Sequence, residues 1–277
     1  MTFDDFKWRR AGAALLCAAT AALANAADRD GADQSIPKVE VQGTTQDRDE
    51  KSYRDMLAAM DVFQKHHGLA PTASLRFKVF PRHAGVSMDG LVLQIAGERT
   101  SIPVPLAPDL TFTLPRSAEA AGDNARVRFN RKEGSLAWRA DIRSQGVPSN
   151  ARRLGDLLLE CKVAMVGDLV AYVHHPINMM ITKMEDPCRT LSINMFYFAD
   201  RPLFSVTLVS GNRRSIMPAA MLHGPSAPMM PGHEDWTFLR ERVYMVKFKT
   251  LYDQGWPDDT LLQFDYMDDD APAGSRP

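Results

Sequence analysis

The stretch Leu157-Leu158-Leu159-Glu160-Cys161-Lys162-Val163-Ala164-Met165, with the Cys188 that follows it, decides how the second half of this chain is read. Leu157, Leu159, Cys161, Val163 and Met165 alternate with Leu158, Glu160 and Lys162, a period of two that predicts a strand with Cys161 facing inward. Cys188 stands in Asp186-Pro187-Cys188, a turn by composition. The chain has 3 cysteines, and Cys17 falls in an N-terminal apolar run. Cys161 and Cys188 are therefore expected to form a disulfide in an oxidising compartment, where closing such a loop contributes about 3 to 4 kcal/mol in the chain-entropy account. A free catalytic thiol is the rival, and the sequence holds no Cys-His signature for it.

The compartment is read from the first 26 residues. Lys7, Trp8, Arg9 and Arg10 precede the apolar run from Ala11 to Leu23, and Ala24-Asn25-Ala26 is a small-x-small signal. This is the layout of a secretory signal peptide cleaved near Ala26. Leu15 and Leu16 stand before Cys17, where lipid attachment wants small residues. No later run reaches the ~18 apolar residues of a membrane span. A mature periplasmic or secreted protein with no integral membrane segment is expected.

Composition sets the class: 277 residues, a net charge of −1, 45% hydrophobic and 24% charged residues are ordinary for a globular protein. Charge is uneven along the chain. Residues 69–153 carry 13 basic and 7 acidic groups between two acidic flanks. Such a basic middle either docks on the flanks or faces an anionic partner. It is too modest for a nucleic-acid-binding domain, so nucleic acid is not an expected partner.

In chain order, residues 27–49 read as a disordered linker, rich in Asp, Gln, Thr and Gly. Residues 50–68 read as an amphipathic helix packed on a sheet: Ser52 caps it, Tyr53, Met56, Leu57, Met60 and Phe63 share one face, and Gly68 ends it. From Ser74 the period becomes two. Leu75, Phe77 and Val79; Leu91, Leu93 and Ile95; Leu110, Phe112 and Leu114; Val127 and Phe129; and Leu136, Trp138, Ala140 and Ile142 each alternate with polar or smaller neighbours. Asp89-Gly90, Ala96-Gly97, Pro108-Asp109 and Glu133-Gly134 supply the turns. The expected class is mainly β, an antiparallel β-sandwich or sandwiches, with residues 69–150 forming a first sandwich-like region.

The segments Gly90-Leu91-Val92-Leu93-Gln94-Ile95, Ile102-Pro103-Val104-Pro105-Leu106 and Leu110-Thr111-Phe112-Thr113-Leu114-Pro115 resemble the strand-and-turn rhythm of transthyretin-like sandwiches, including carboxypeptidase regulatory-like domains, over about residues 74–145. The Asp-Gly turn of that pattern stands here as Asp109-Leu110. The resemblance implies an accessory binding or structural module and supplies no catalytic residues.

Pro148 to Arg153 reads as a crossing into a second antiparallel β region, 151–267, stapled by the disulfide. Its further strands are centred on Met195, Val206, Val246 and Phe264. The segment between Val209 and Trp236 reads as a long loop, and residues 268–277 as a solvated acidic tail.

Chemistry is read mainly by elimination. Gly85-Val86-Ser87-Met88-Asp89 is not a G-x-S-x-G elbow, and His233-Glu234 opens no H-E-x-x-H. No catalytic residue is assigned, and the class expected is a non-enzymatic envelope component that binds an envelope protein or glycan. Trp236 and Trp256, beside loops, are candidate sugar platforms. A hydrolase without a recognisable motif is one alternative. The other is a periplasmic copper protein using His174, His175, Met179, Met180, Met221, His223, Met229, Met230 and His233, because thioethers suit Cu(I) and imidazole suits Cu(II). Otherwise no cofactor is expected.

Overall fold

The computed structural model describes residues 48–169, 184, 186–191, 194–223 and 239–267. The predicted signal peptide, residues 27–47 of the linker and the tail 268–277 lie outside the described residues.

The strands are β1 (Arg48–Ser52), β2 (Ser74–Pro81), β3 (Leu93–Ala96), β4 (Ser101–Val104), β5 (Thr111–Phe112), β6 (Arg126–Lys132) and β7 (Leu136–Arg143) in the first half. In the second half they are β8 (Ala151–Arg153), β9 (Met195–Phe198), β10 (Leu203–Ser210), β11 (Arg213–Ile216), β12 (Val243–Val246) and β13 (Leu261–Tyr266). The helices are α1 (Tyr53–Lys65), α2 (Ala118–Gly122), α3 (Leu154–Val166), α4 (Pro187–Thr190) and α5 (Phe248–Asp253). The protein is mainly β. Its sheets, ordered β1-β6-β3-β4, β5-β2-β7, β11-β10-β13-β8 and β12-β9, are antiparallel at every pairing.

Helix α1 forms as its spacing predicts. Ser52 Oγ accepts from the Asp55 N–H, Tyr53, Met56, Ala59 and Phe63 are buried, and Arg54, Asp55, Asp61, Gln64 and Lys65 are exposed. Its buried face enters a core shared with the first two sheets. There Trp138 of β7 meets Phe112 of β5 and Phe129 of β6 edge-on, at centroid distances of 6.0 and 4.9 Å.

The stretch from Leu157 to Met165 is corrected from strand to helix α3. Eleven of its thirteen residues, Leu154 to Ala164, are buried. Leu159, Val163 and Ala164 pack into the first core, whereas Leu154, Leu157, Leu158 and Cys161 pack into a second one, with β9, β10, β12, β13 and Trp256. A helix with apolar faces on two sides loses the single-stripe signature and mimics alternation over a short window. Gly155 permits the close approach at its start: a Cβ there would lie 2.6 Å from the Leu69 carbonyl oxygen.

Other boundaries change with it. Arg48 and Asp49 belong to β1 rather than to the linker, and α1 starts at Tyr53 rather than at residue 50. The crossing at 148–153 holds β8, and Arg213–Ile216 inside the expected loop forms β11 on the edge of β10. The strand containing Tyr244 stops at Val246, and Phe248 opens α5. One helix was expected, and five are present among the described residues. Asp200 joins Lys78 and Arg143, Glu160 joins Arg152, and Glu50 joins Arg126, so the basic middle docks on the acidic flanks.

Candidate functional site

The two edges of the β5-β2-β7 sheet are finished in opposite ways. Among the described residues no strand pairs with the side of β7 away from β2, and the outward N–H and C=O groups of such an edge are costly to leave dry. Side chains meet them instead. Glu160 accepts the Ile142 N–H at 2.6 Å, and Arg152 donates to the Ile142 carbonyl at 2.9 Å and to Glu160 at 2.5 Å. One helical turn earlier, Asp156 accepts the Ser144 N–H at 2.8 Å and its hydroxyl at 2.7 Å. Four helical residues advance ~6 Å and two strand residues ~6.7 Å, so the i, i+4 carboxylates of α3 stay in step with alternate residues of β7. At the strand's start Asp49 accepts the Leu136 N–H at 2.9 Å and the Trp138 indole N–H at 2.5 Å.

Burial shapes the electrostatics of this edge. It raises the Glu160 carboxyl to about 7, against the pull of Arg152 and of the Ile142 amide. Burial also raises Asp49, against its indole and amide donors. Asp141 is held below the usual carboxylate range: burial pushes it up, but Arg143, Arg152 and Arg76 together outweigh that. These buried carboxylates serve as acceptors for amides and guanidinium groups, which is structural chemistry.

The other edge is open at one place. β2 hydrogen-bonds to β7 through its even-numbered residues, and its odd-numbered residues face β5, as the Val79 N–H to Leu110 carbonyl bond of 3.3 Å shows. β5 pairs only with Phe77 and Lys78. Continuing that register would set Leu114 opposite Leu75, but the chain peels away there. The Tyr53 hydroxyl draws it toward α1, donating to the Pro115 carbonyl at 2.7 Å and accepting from the Ser117 N–H at 2.8 Å. Ala73 is satisfied, its N–H by the Ala70 carbonyl and its own carbonyl by His67 Nε2. The N–H and C=O of Leu75 have no hydrogen-bond partner among the described residues.

They face a cleft of about 350 Å³. Met60 and Phe63 of α1, Leu75 and Phe77 of β2, and Leu114 form its apolar walls, while Gln64, His67, Ser74, Thr113 and Arg116 supply polar groups. Arg116 is half-exposed and paired at 2.7 Å with the more exposed Asp61, a contact of the kind worth little in water. An apolar cleft with a few polar groups is the form of a small-ligand site.

Of the residues expected to act, Cys161 and Cys188 are joined, with Cα atoms 6.1 Å apart, and the disulfide links α3 to α4. In the copper set, Met221 and His223 are described and the other seven residues lie outside the described residues. His223 Nε2 lies 2.6 Å from the Leu203 carbonyl, so this nitrogen carries the proton and fastens the residue to β10. Met221 packs at the margin of the second core. Trp256 is buried under the Arg213 guanidinium, 3.7 Å from its ring centroid, and is no open sugar platform. Trp236 lies outside the described residues. The cleft was not foreseen. Its one local sign is Leu114-Pro115, which ends β5 early.

A scan of family models, a search of curated proteins and a search of solved structures each found no match to this chain.

Proposed function

We propose that this protein is an exported, non-enzymatic binding or structural component of the cell envelope, and that the cleft between α1 and the β2–β5 edge holds its ligand. The observation behind this reading is the cleft itself: apolar walls, polar groups at the rim, and an open main-chain pair at Leu75. Export is supported by the Cys161–Cys188 disulfide, which persists in oxidising compartments, and by the signal-peptide layout of residues 1–26. At the fold level, the contacts of Phe129 with Phe112 and Trp138, which join the first two sheets, support a sandwich of the transthyretin-like kind, a family used for accessory binding.

The test is site-specific photo-crosslinking in the bacterial envelope. A photoreactive side chain at Gln64, on the cleft rim, is expected to capture a discrete envelope component, and one at Glu98 in the turn between β3 and β4 is not. Identical adduct patterns at the two positions, or retention of the protein in the cytosolic fraction, would reject the reading.

A further inference from the structure

We propose that the outer edge of β11 is a docking site for an extended acidic segment of a partner protein, which adds there as an antiparallel strand. The site is separate from the cleft and does not rest on it.

Register decides which groups this edge presents. The Met217 N–H bonds the Val206 carbonyl at 2.8 Å, so the hydrogen-bonded pairs of β10 and β11 are Leu208 with Ser215 and Ser210 with Arg213. Arg214 and Ile216 lie between them and turn their N–H and C=O groups away from β10. None of these four groups has a hydrogen-bond partner among the described residues. All four residues of the strand are exposed, Ile216 by 72%, and β10 is its one strand neighbour among the described residues. The space beside β11 is therefore open along its whole length. Two other sheet edges are closed to addition. The Gly97 N–H to Thr100 carbonyl bond sets Pro103 at an outward position of β4, where it removes a donor, and Glu160, Arg152 and Asp156 occupy the edge of β7.

Charge selects the occupant. The Arg213 guanidinium lies over Trp256 and donates to the Gln254 and Gly255 carbonyls at 3.1 and 3.4 Å, and Arg214 donates to Gln263 Oε1 at 2.9 Å. Every one of these acceptors is neutral, so both charges stand without a carboxylate among the described residues. A strand that sets a β-branched apolar residue opposite Ile216 and glutamates opposite Arg214 and Arg213 answers the edge in hydrogen bonds, apolar contact and charge. Two β11 strands paired with each other would bring four guanidinium groups together, which disfavours a second copy of this chain.

The probe is acetyl-valyl-threonyl-glutamyl-glutamyl-threonine amide, titrated into the mature protein at several protein concentrations and followed by amide NMR and hydrogen exchange. In the free protein the Ser215 and Met217 amides are expected to be protected and the Arg214 and Ile216 amides to exchange rapidly. Saturation with the peptide should protect the latter two. N-methylation of the valine nitrogen, the donor to the Ile216 carbonyl, is expected to weaken binding about tenfold. N-methylation of the neighbouring threonine nitrogen, which faces away from β11, should leave binding unchanged. Lysines in place of both glutamates should cost about tenfold in affinity, a preference that shrinks in Arg214→Gln, whose fold is checked by its unperturbed core resonances. Equal binding of the valine-methylated or the lysine peptide, an unchanged preference in Arg214→Gln, or Arg214 and Ile216 amides unmoved by the peptide would overturn the proposal. So would protection of those two amides without peptide. If that protection grows with protein concentration, a second copy holds the edge; if it does not, the chain covers its own edge.

Discussion

Helices α1 and α3 are each thirteen residues long and pack against one another, yet they fill opposite roles. α1 has one buried stripe and a charged outer face, so its contribution is that of a lid on a sheet. α3 has almost no outer face. It separates two cores and uses Asp156 and Glu160 to finish the edge of β7. The charged side chains Arg54, Asp55, Asp61 and Lys65 of α1 are therefore surface residues, whereas Asp156 and Glu160 of α3 are part of the hydrogen-bonding of a sheet.

The contrast is broken most severely at Glu160. Glu160→Ala removes the acceptor of the Ile142 N–H and strands the buried Arg152 charge, and a loss of about 3 to 5 kcal/mol is expected in urea denaturation. Gln64→Ala on the exposed face of α1 is expected to stay within about 0.5 kcal/mol of the parent protein. A loss at Glu160 no larger than at Gln64 would show that the edge is not held by α3.

The disulfide comes next, since it ties only α3. The Cys161→Ser, Cys188→Ser double variant is expected to lose about 3.5 kcal/mol, from the closure of a loop with sequence separation 27. The check is a denaturation midpoint that falls in the variant and falls equally in the parent protein under reductant.

A third test reads a slope. The Glu160 carboxyl is raised from its ordinary 4.5 to about 7, so the folded state holds this proton more tightly than the unfolded state. Its contribution favours folding most below pH 4.5, declines as pH rises toward about 7, and is level above that. Asp141 and Asp200 are held below their ordinary 3.8 and act in the opposite sense in more acid solution, leaving this window to Glu160 among the three. In Glu160→Gln the decline between pH 4.5 and about 7 should flatten, measured as melting temperature against pH.

The smallest effect sharpens the comparison at the N-termini. Ser52→Ala is expected to cost about 1 kcal/mol, because the Oγ to Asp55 N–H bond caps α1. Arg153 at the head of α3 makes no side-chain cap bond, so its first turn is held by packing and by the Gly155 N–H to Asp258 carbonyl bond of 2.8 Å. Thermal melts of Ser52→Ala against Ser52→Thr measure the cap, with Thr retaining most of it.

How far residues can be read without their neighbours follows from the same contrast. α1 was legible because water marks its outer face with Arg54, Asp55, Asp61 and Lys65, leaving a clean three-and-four spacing. β2, β6 and β7 were legible because their larger apolar residues recur at every second position and enter one core, as with Phe77 and Val79. α3 was not, since two cores bury both sides and its polar residues answer to β7 rather than to solvent. β11 was hidden because all four of its residues are exposed, which leaves a strand no burial pattern. In the candidate site, Met60 and Phe63 were placed on the right face, but nothing local to Leu75 announces an unpaired edge.

The sequence by itself determined the capped helix at Ser52, the alternation of the first-half strands and the pairing of Cys161 with Cys188, because each can be read from residue type and spacing. Tertiary structure alone decided that Leu154–Val166 is a helix between two cores. It also decided that Glu160 ends a sheet and that Tyr53 pulls Pro115 away from β2 to open the cleft. Those outcomes turn on hydrogen bonds between residues far apart in the chain, whose partners no local pattern names.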